Sequence, residues 1–193
     1  NVDLDPILVA IKTATHGGNM ELSSDCPKCD ENSTYNINLS GVLSSFSPGD
    51  YDSLLSLGTD IKIKFKPLSF KLINETSMKQ FQFQKGIQGL SLITDDAERN
   101  KKSKEILFEL NKMSTIMIAE SIEYIKVPTA TVMDKTLLIE FLNNIDVSAF
   151  DHIKQHSIKL KQSTESKPLK LKCVSCSHEY EQAFSINVSD FFD

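Results

Sequence analysis

The four cysteines of this chain fall into two Cys-x-x-Cys pairs near its opposite ends, Cys26-Pro27-Lys28-Cys29 and Cys173-Val174-Ser175-Cys176, with none left over. Each pair precedes a β-like run that closes on a similar word, Ile37-Asn38-Leu39-Ser40 after the first and Ile186-Asn187-Val188-Ser189 after the second. Two knuckles of this kind can direct four thiolates at one tetrahedral Zn2+. A fold that does so must bring the beginning and the end of the chain together. The stretch between Cys29 and Cys173 is far longer than a simple zinc ribbon spans. Loop-closure cost grows only with the logarithm of length, however, and a folded insert removes most of it. The expected ligands are Cys26, Cys29, Cys173 and Cys176, holding a structural Zn2+. Two disulfides, or thiols kept without metal, are the alternatives. Four thiolates leave no open coordination position, which argues against a catalytic zinc. His178 could replace one ligand, although a surface position or a supporting hydrogen bond suits it better.

A redox role for Cys-x-x-Cys calls for a pair that opens a helix in a thioredoxin-like setting. Here both pairs lead into strands. No Gly-x-Ser-x-Gly, phosphate-binding loop or dinucleotide fingerprint occurs, so no enzyme class is indicated. His16, His152 and His156 are scattered, and the i, i+4 pair His152/His156 lacks an accompanying acid. At 193 residues, 40% hydrophobic and 24% charged, the chain is long enough for one substantial core. No apolar run is long enough to span a membrane. Because the sequence starts at Asn1 without a methionine, a native leading segment is expected before it.

Hydrophobic periodicity divides the chain. Asp5-Pro6 opens a helix with an apolar stripe of Leu4, Ile7, Leu8, Ile11 and Ala14, stopped by Gly17-Gly18. Met20–Asp25 and Tyr35–Leu39 read as the strands of the first knuckle. Residues 40–58 read as two short helices, the second through Leu54, Leu55 and Leu57. Asp60–Lys66 alternates strictly, with Ile61, Ile63 and Phe65 on one side and Lys62, Lys64 and Lys66 on the other. Residues 68–126 read as two long helices, the second capped at Thr94-Asp95-Asp96 and carrying a stripe from Ile106 to Ile125. Val127–Val132 is extended. Helices follow, capped by Asp134 and Ser148, then a polar linker at 162–167. The second knuckle has Leu169 and Leu171 on one strand, and Phe184, Ile186 and Val188 on the return strand. Phe191-Phe192 calls for burial or a partner.

Lys62, Lys64 and Lys66, with Lys170 and Lys172, could form a basic strip. Lysine also serves simply to blunt strand edges, and the chain carries a net charge of −5, no Trp and few aromatics on that face. Nucleic acid is therefore the weaker expectation for a partner.

The order of N-terminal helix, Cys26-Pro27-Lys28-Cys29 with a Tyr-x-Ile-x-Leu strand, helical middle, Val132-Met133-Asp134, a helix ending near Asn143, Cys173-Val174-Ser175-Cys176 and terminal Phe191-Phe192 resembles the baseplate protein family of T4-type tailed bacteriophages. The resemblance covers nearly the whole chain and is most specific at the paired knuckles and the closing Phe-Phe. It implies association with the baseplate hub and its assembly, other tail proteins as partners, and an arm ahead of the first helix. Location would be the virion tail baseplate, or the host cytoplasm during assembly.

The combined reading is one α+β domain over residues 1–193. Zinc-knuckle hairpins at 20–40 and 168–193 form a zinc-ribbon-like pair from the two ends. The mostly helical insert between them contains a long helical hairpin at 68–126. The expected function is non-enzymatic, a structural or assembly component of the baseplate, with a homo-oligomer kept open. A zinc-ribbon factor associated with nucleic acid, of the transcription type, is the alternative.

Overall fold

The computed structural model describes residues 4–184. Over them the chain is α+β, and all its strands pair antiparallel. The elements in order are α1 (Leu4–His16), β1 (Asn19–Asp25), β2 (Asn32–Asn38), α2 (Leu39–Ser45), β3 (Leu54–Leu57), β4 (Ile61–Phe65), α3 (Phe70–Leu90), α4 (Asp96–Ser121), β5 (Ile122–Val127), β6 (Ala130–Val132), α5 (Lys135–Asn144), α6 (Val147–Thr164), β7 (Leu169–Lys172) and β8 (Glu179–Gln182). They gather into two compact units, one of residues 50–160 and one of residues 4–49 with 161–184.

The first unit is built on a four-stranded sheet of order β3-β4-β5-β6. The alternation in β4 turns Ile63 and Phe65 to the core, where both are essentially fully buried. Cross-strand pairing sets Ile63 opposite Ile125 and Phe65 opposite Ile122, with a slip in register between Lys64 and Phe65 that passes over Glu123. Leu138 and Leu142 of α5 and Ile153 and Leu160 of α6 complete this core. Burial of each such side chain contributes about 1.5–3 kcal/mol before the entropy cost of ordering it.

Two sequence expectations fail here. Leu54–Leu57 is a strand, not a helix: its four residues are too few to show a period. Gly58, at φ +63°, starts the three-residue loop that folds it back so that Leu57 pairs with Ile61. The second long helix stops at Ser121 instead of reaching 126. Ile118, Ile122 and Ile125 satisfy helical spacing, but Ile122–Val127 is rich in residues that favour strands, and β4 offers it an open edge.

The helices α3 and α4 are therefore an insertion between two neighbouring strands. Ser69 caps α3 by accepting from Leu72 N, and Asp95 caps α4 by accepting from Glu98 N. The helices pack on each other, closely at Gly86, where an added Cβ would stand 3.2 Å from Ile106 Cδ1. Yet Thr76 is the one buried residue of α3, and those of α4 cluster at its end, Ile118, Ala119 and Ser121. Helix α5 starts at the Asp134 cap, which accepts from Thr136 and Leu137 N. In α6, Asp146 supplies the cap expected of Ser148 and accepts from Ala149 N. That helix continues to Thr164, into the region read as linker.

The second unit has its own core of Val9 from α1, Ile37 from β2, Leu39 and Val42 from α2, and Leu171 from β7. Leu169, Tyr180 and Phe184 pack against it. One core thus joins the two ends of the chain. The return strand of the second knuckle is Glu179–Gln182; Phe184 lies past it, and Ile186, Val188 and Phe191-Phe192 lie outside the described residues. A strand at 179–182 follows from the tight knuckle, which reverses the chain within six residues between Lys172 and Glu179.

Lys135 explains how α4 can end abruptly beside the sheet. Its Nζ donates to Ala119 O at 2.7 Å and to Ile122 O at 3.2 Å, and sits 3.4 Å from Glu120 Oε2. A cation is thereby placed at the negative end of the helix, on Ala119 O, which also accepts from Ile122 N, and on Ile122 O. Lys135→Met should lower stability by about 1–2 kcal/mol in chemical denaturation, whereas Lys135→Arg, which keeps a cationic donor, should recover part of that loss.

Candidate metal centre

Both knuckles use one local design. In the first, Cys26 O accepts from Asp30 N at 2.9 Å and Cys26 N donates to Glu31 O at 3.0 Å. In the second, Cys173 O accepts from Ser177 N at 3.0 Å and Cys173 N donates to His178 O at 2.9 Å. Asp30 and Ser177, each four residues after the first cysteine of its pair, both adopt φ +55°. Left-handed backbone costs a residue with a side chain about 1–2 kcal/mol, less for Asp. Two loops from opposite ends of the chain therefore accept the same strained turn, which curls each Cys-x-x-Cys around a common point.

The sulfurs of Cys26, Cys29, Cys173 and Cys176 all lie within 4.8 Å of one another. Two contacts run between knuckles, Cys26 to Cys176 and Cys29 to Cys173, each 3.6 Å. All four are free thiols at distances well beyond the roughly 2.05 Å of a disulfide. Cys26 and Cys173 are buried, Cys176 is half-buried and Cys29 faces solvent. The backbone N–H of Cys176, aided by that of Ser175, holds the Cys173 thiol down to about 7 against the cost of burial. At Cys29 the backbone N–H of Glu31 pulls the thiol down, but the sulfur of Cys176, local desolvation and the sulfurs of Cys26 and Cys173 outweigh it and push it up to about 12. Four thiolates this close repel one another, so full ionisation requires a cation among them. The four cysteines picked out in the sequence thus come together as a set compatible with a metal site.

The other sequence candidates do not join it. His178 stacks on Tyr180, ring centroids 6.4 Å apart, and serves the knuckle through its carbonyl. His156 tilts against Phe65 at 5.0 Å, and its Nε2 has no hydrogen-bond partner among the described residues; burial, then the charges of His152 and Lys159, lower its pKa. His16 bonds Thr15 at 2.6 Å. Lys62 and Lys64 lie on β4, in the first unit, with Lys62 opposite Lys126 and Lys64 paired to Asp52 at 3.0 Å. Lys170 and Lys172 belong to β7, in a different sheet and the other unit, so the strip drawn from the sequence does not form one sheet face.

A second connection between the knuckle hairpins was not legible in the sequence. Tyr180 Oη lies 3.1 Å from Ser24 Oγ and 3.3 Å from Tyr35 Oη, and Ser24 Oγ donates to Gln182 Oε1 at 3.2 Å. A phenol has one hydrogen, so Tyr180 donates in one of its two contacts and accepts in the other. The bond to Tyr180, then burial, pushes the Tyr35 hydroxyl up to about 12.

A family model described as T4 bacteriophage base plate protein matches residues 1–193, the whole length of the chain. The chain belongs to the T4 bacteriophage base plate protein family. Membership of this structural family implies a place in the tail of the virion and contact with other tail proteins. Comparison with curated proteins and with solved structures returns no match. Among the described residues, no helix of this base plate protein is long and apolar enough to cross a membrane.

The polar connection should hold the hairpins independently of the sulfurs. Tyr180→Phe is expected to lower stability by about 1 kcal/mol while leaving the rate at which each thiol reacts with a thiol reagent unchanged. Faster reaction would show that the tyrosine, and not the sulfur cluster, sets the approach of the knuckles.

Proposed function

We infer that this chain is a non-enzymatic component of the baseplate hub region, structural or acting in its assembly, whose ends are joined by a structural Zn2+. The observation that carries the metal reading is the convergence of four sulfurs from two matching knuckles. Zn–S bonds of about 2.3 Å in a tetrahedron set sulfurs about 3.8 Å apart. The 3.6 Å contacts between knuckles, with every sulfur within 4.8 Å of the others, fit that requirement with little adjustment. An all-thiolate set closes the coordination shell, so the ion would hold the fold and bind no substrate. Its apparent stabilisation, about 10–16 kcal/mol in isolated zinc modules, is ample for two short hairpins that share a small core.

Family membership supports the tail setting. On this reading the knuckle hairpins at 20–40 and 168–193 are the clasp of one unit, and the helical arm within 68–126 belongs to the other. The nucleic-acid alternative gains no single basic sheet face from the fold, because its lysines lie on two different sheets.

Purified protein should contain one zinc per chain by elemental analysis, and Cys173→Ser and Cys29→Ser should each remove it and lower the melting temperature. A Cys173→Ser protein that keeps its zinc through the first knuckle alone would refute the joined site. For the tail role, baseplate intermediates isolated from infected cells should contain the wild-type chain and lack the Cys173→Ser chain. Salt-sensitive binding to DNA or RNA, with no baseplate association, would overturn it.

A further inference from the structure

The apolar stripe that seats α6 on the sheet contains one titratable residue. At helical spacing it runs Phe150, Ile153, His156 and Leu160. Ile153 is fully buried, Leu160 nearly so, and Phe150 packs against the same core. An apolar residue at 156 would complete the stripe. His156 instead sets its ring against Phe65, a buried core residue of β4, with centroids 5.0 Å apart and planes at 48°. Its Nε2 is closed to solvent and has no hydrogen-bond partner among the described residues. A neutral imidazole in this position leaves a polar atom unsatisfied, which a core tolerates at some cost. A protonated one is worse placed, because both nitrogens then carry hydrogen and Nε2–H has nothing to donate to.

On balance the charges around the ring disfavour a proton on it. On α6 itself, His152 and Lys159, one turn to either side, oppose a further positive charge. Ahead of β3, Asp50 is the acid that favours one, but its carboxylate already accepts from Ser53 N at 3.2 Å. Tyr51 packs on the same core, and burial pushes its hydroxyl up, so it stays neutral. β4 brings Phe65 to the ring and turns Lys64 to the other face of the sheet, where it pairs with Asp52. At the end of α4, Ser121 Oγ accepts from Ser157 Oγ at 3.2 Å, and Glu120 faces Lys135 at 3.4 Å.

We propose that His156 is a proton-operated latch on α6: the neutral ring keeps the helix seated on β4, and protonation in mild acid loosens it. Burial first, then His152 and Lys159, hold the imidazole below its ordinary 6.5, against the pull of Asp50. The unfolded chain therefore takes up the proton more readily than the folded one. The stability that depends on the neutral ring is complete above about pH 6.5 and is lost as the pH falls through the lower folded-state value. The loss is centred on α6, whose last turn passes from one unit into the other. The latch is independent of the sulfur cluster and of the tail setting.

The test uses the full chain. Its histidine ring protons are titrated by NMR from about pH 8 to about pH 4.5, and amide exchange in α6 is measured at about pH 7.5 and about pH 5.5, corrected for the intrinsic rate. His156 is expected to titrate below 6.5, and the protection of the α6 amides to fall several-fold between the two pH values. His156→Leu should abolish that fall. His156→Gln, neutral at every pH, should abolish it too even where its shape costs stability, which separates the proton from the packing. Any metal lost from the cysteines in acid is common to wild type and variants and cancels in the comparison. A His156 that titrates at or above 6.5, or an α6 whose protection falls equally in wild type and both variants, overturns the proposal.

Discussion

The meeting of two short knuckles at four sulfur atoms is the constraint on which the second unit depends. Each hairpin by itself is a two-stranded ribbon, too small to be stable in water. Together they share Leu171 with the apolar side chains of α1, β2 and α2, and they place Cys26 and Cys173 out of solvent. The strained turns at Asp30 and Ser177 make sense only in this setting. Strain of about a kilocalorie in each loop persists when the surroundings fix the geometry, and the matching hydrogen bonds around both first cysteines do so. The tyrosine–serine contacts beside the sulfurs add a second, weaker fastening between the same two hairpins.

The first unit solves a different problem. Its sheet hides one face under α5, α6 and the end of α4, and its central strands are interrupted by forty-odd residues of helix. The insertion is tolerated because β4 and β5 remain neighbours: Lys66 N donates to Ser121 O at 2.8 Å just where the chain leaves and returns. Lys135 closes the carbonyl end of α4 at that same junction. The outer part of the hairpin, by contrast, buries almost nothing of its own. For a protein whose family belongs to a multi-component tail, such an arm is suited to contact with other chains.

Much of the site was legible from spacing. Two Cys-x-x-Cys pairs with no spare cysteine fix which side chains must converge, and alternation identified β2, β4 and β7. The matching left-handed positions also had a signal, since a polar residue follows each second cysteine directly, Asp30 and Ser177. The misreadings arose where local pattern was degenerate. Leu54–Leu57 is too short to carry a period, and Ile118, Ile122 and Ile125 fit helix and strand until β4 decides between them. The Tyr180 contacts were beyond reach, because Ser24 and Tyr35 lie 156 and 145 residues away and only tertiary packing brings them near.

X-ray absorption at the zinc edge on the intact protein tests the central claim most directly. One zinc per chain surrounded by four sulfurs at about 2.3 Å is the predicted result. A shell containing nitrogen or oxygen, or a protein whose sulfurs are joined in S–S bonds with no metal bound, would contradict it.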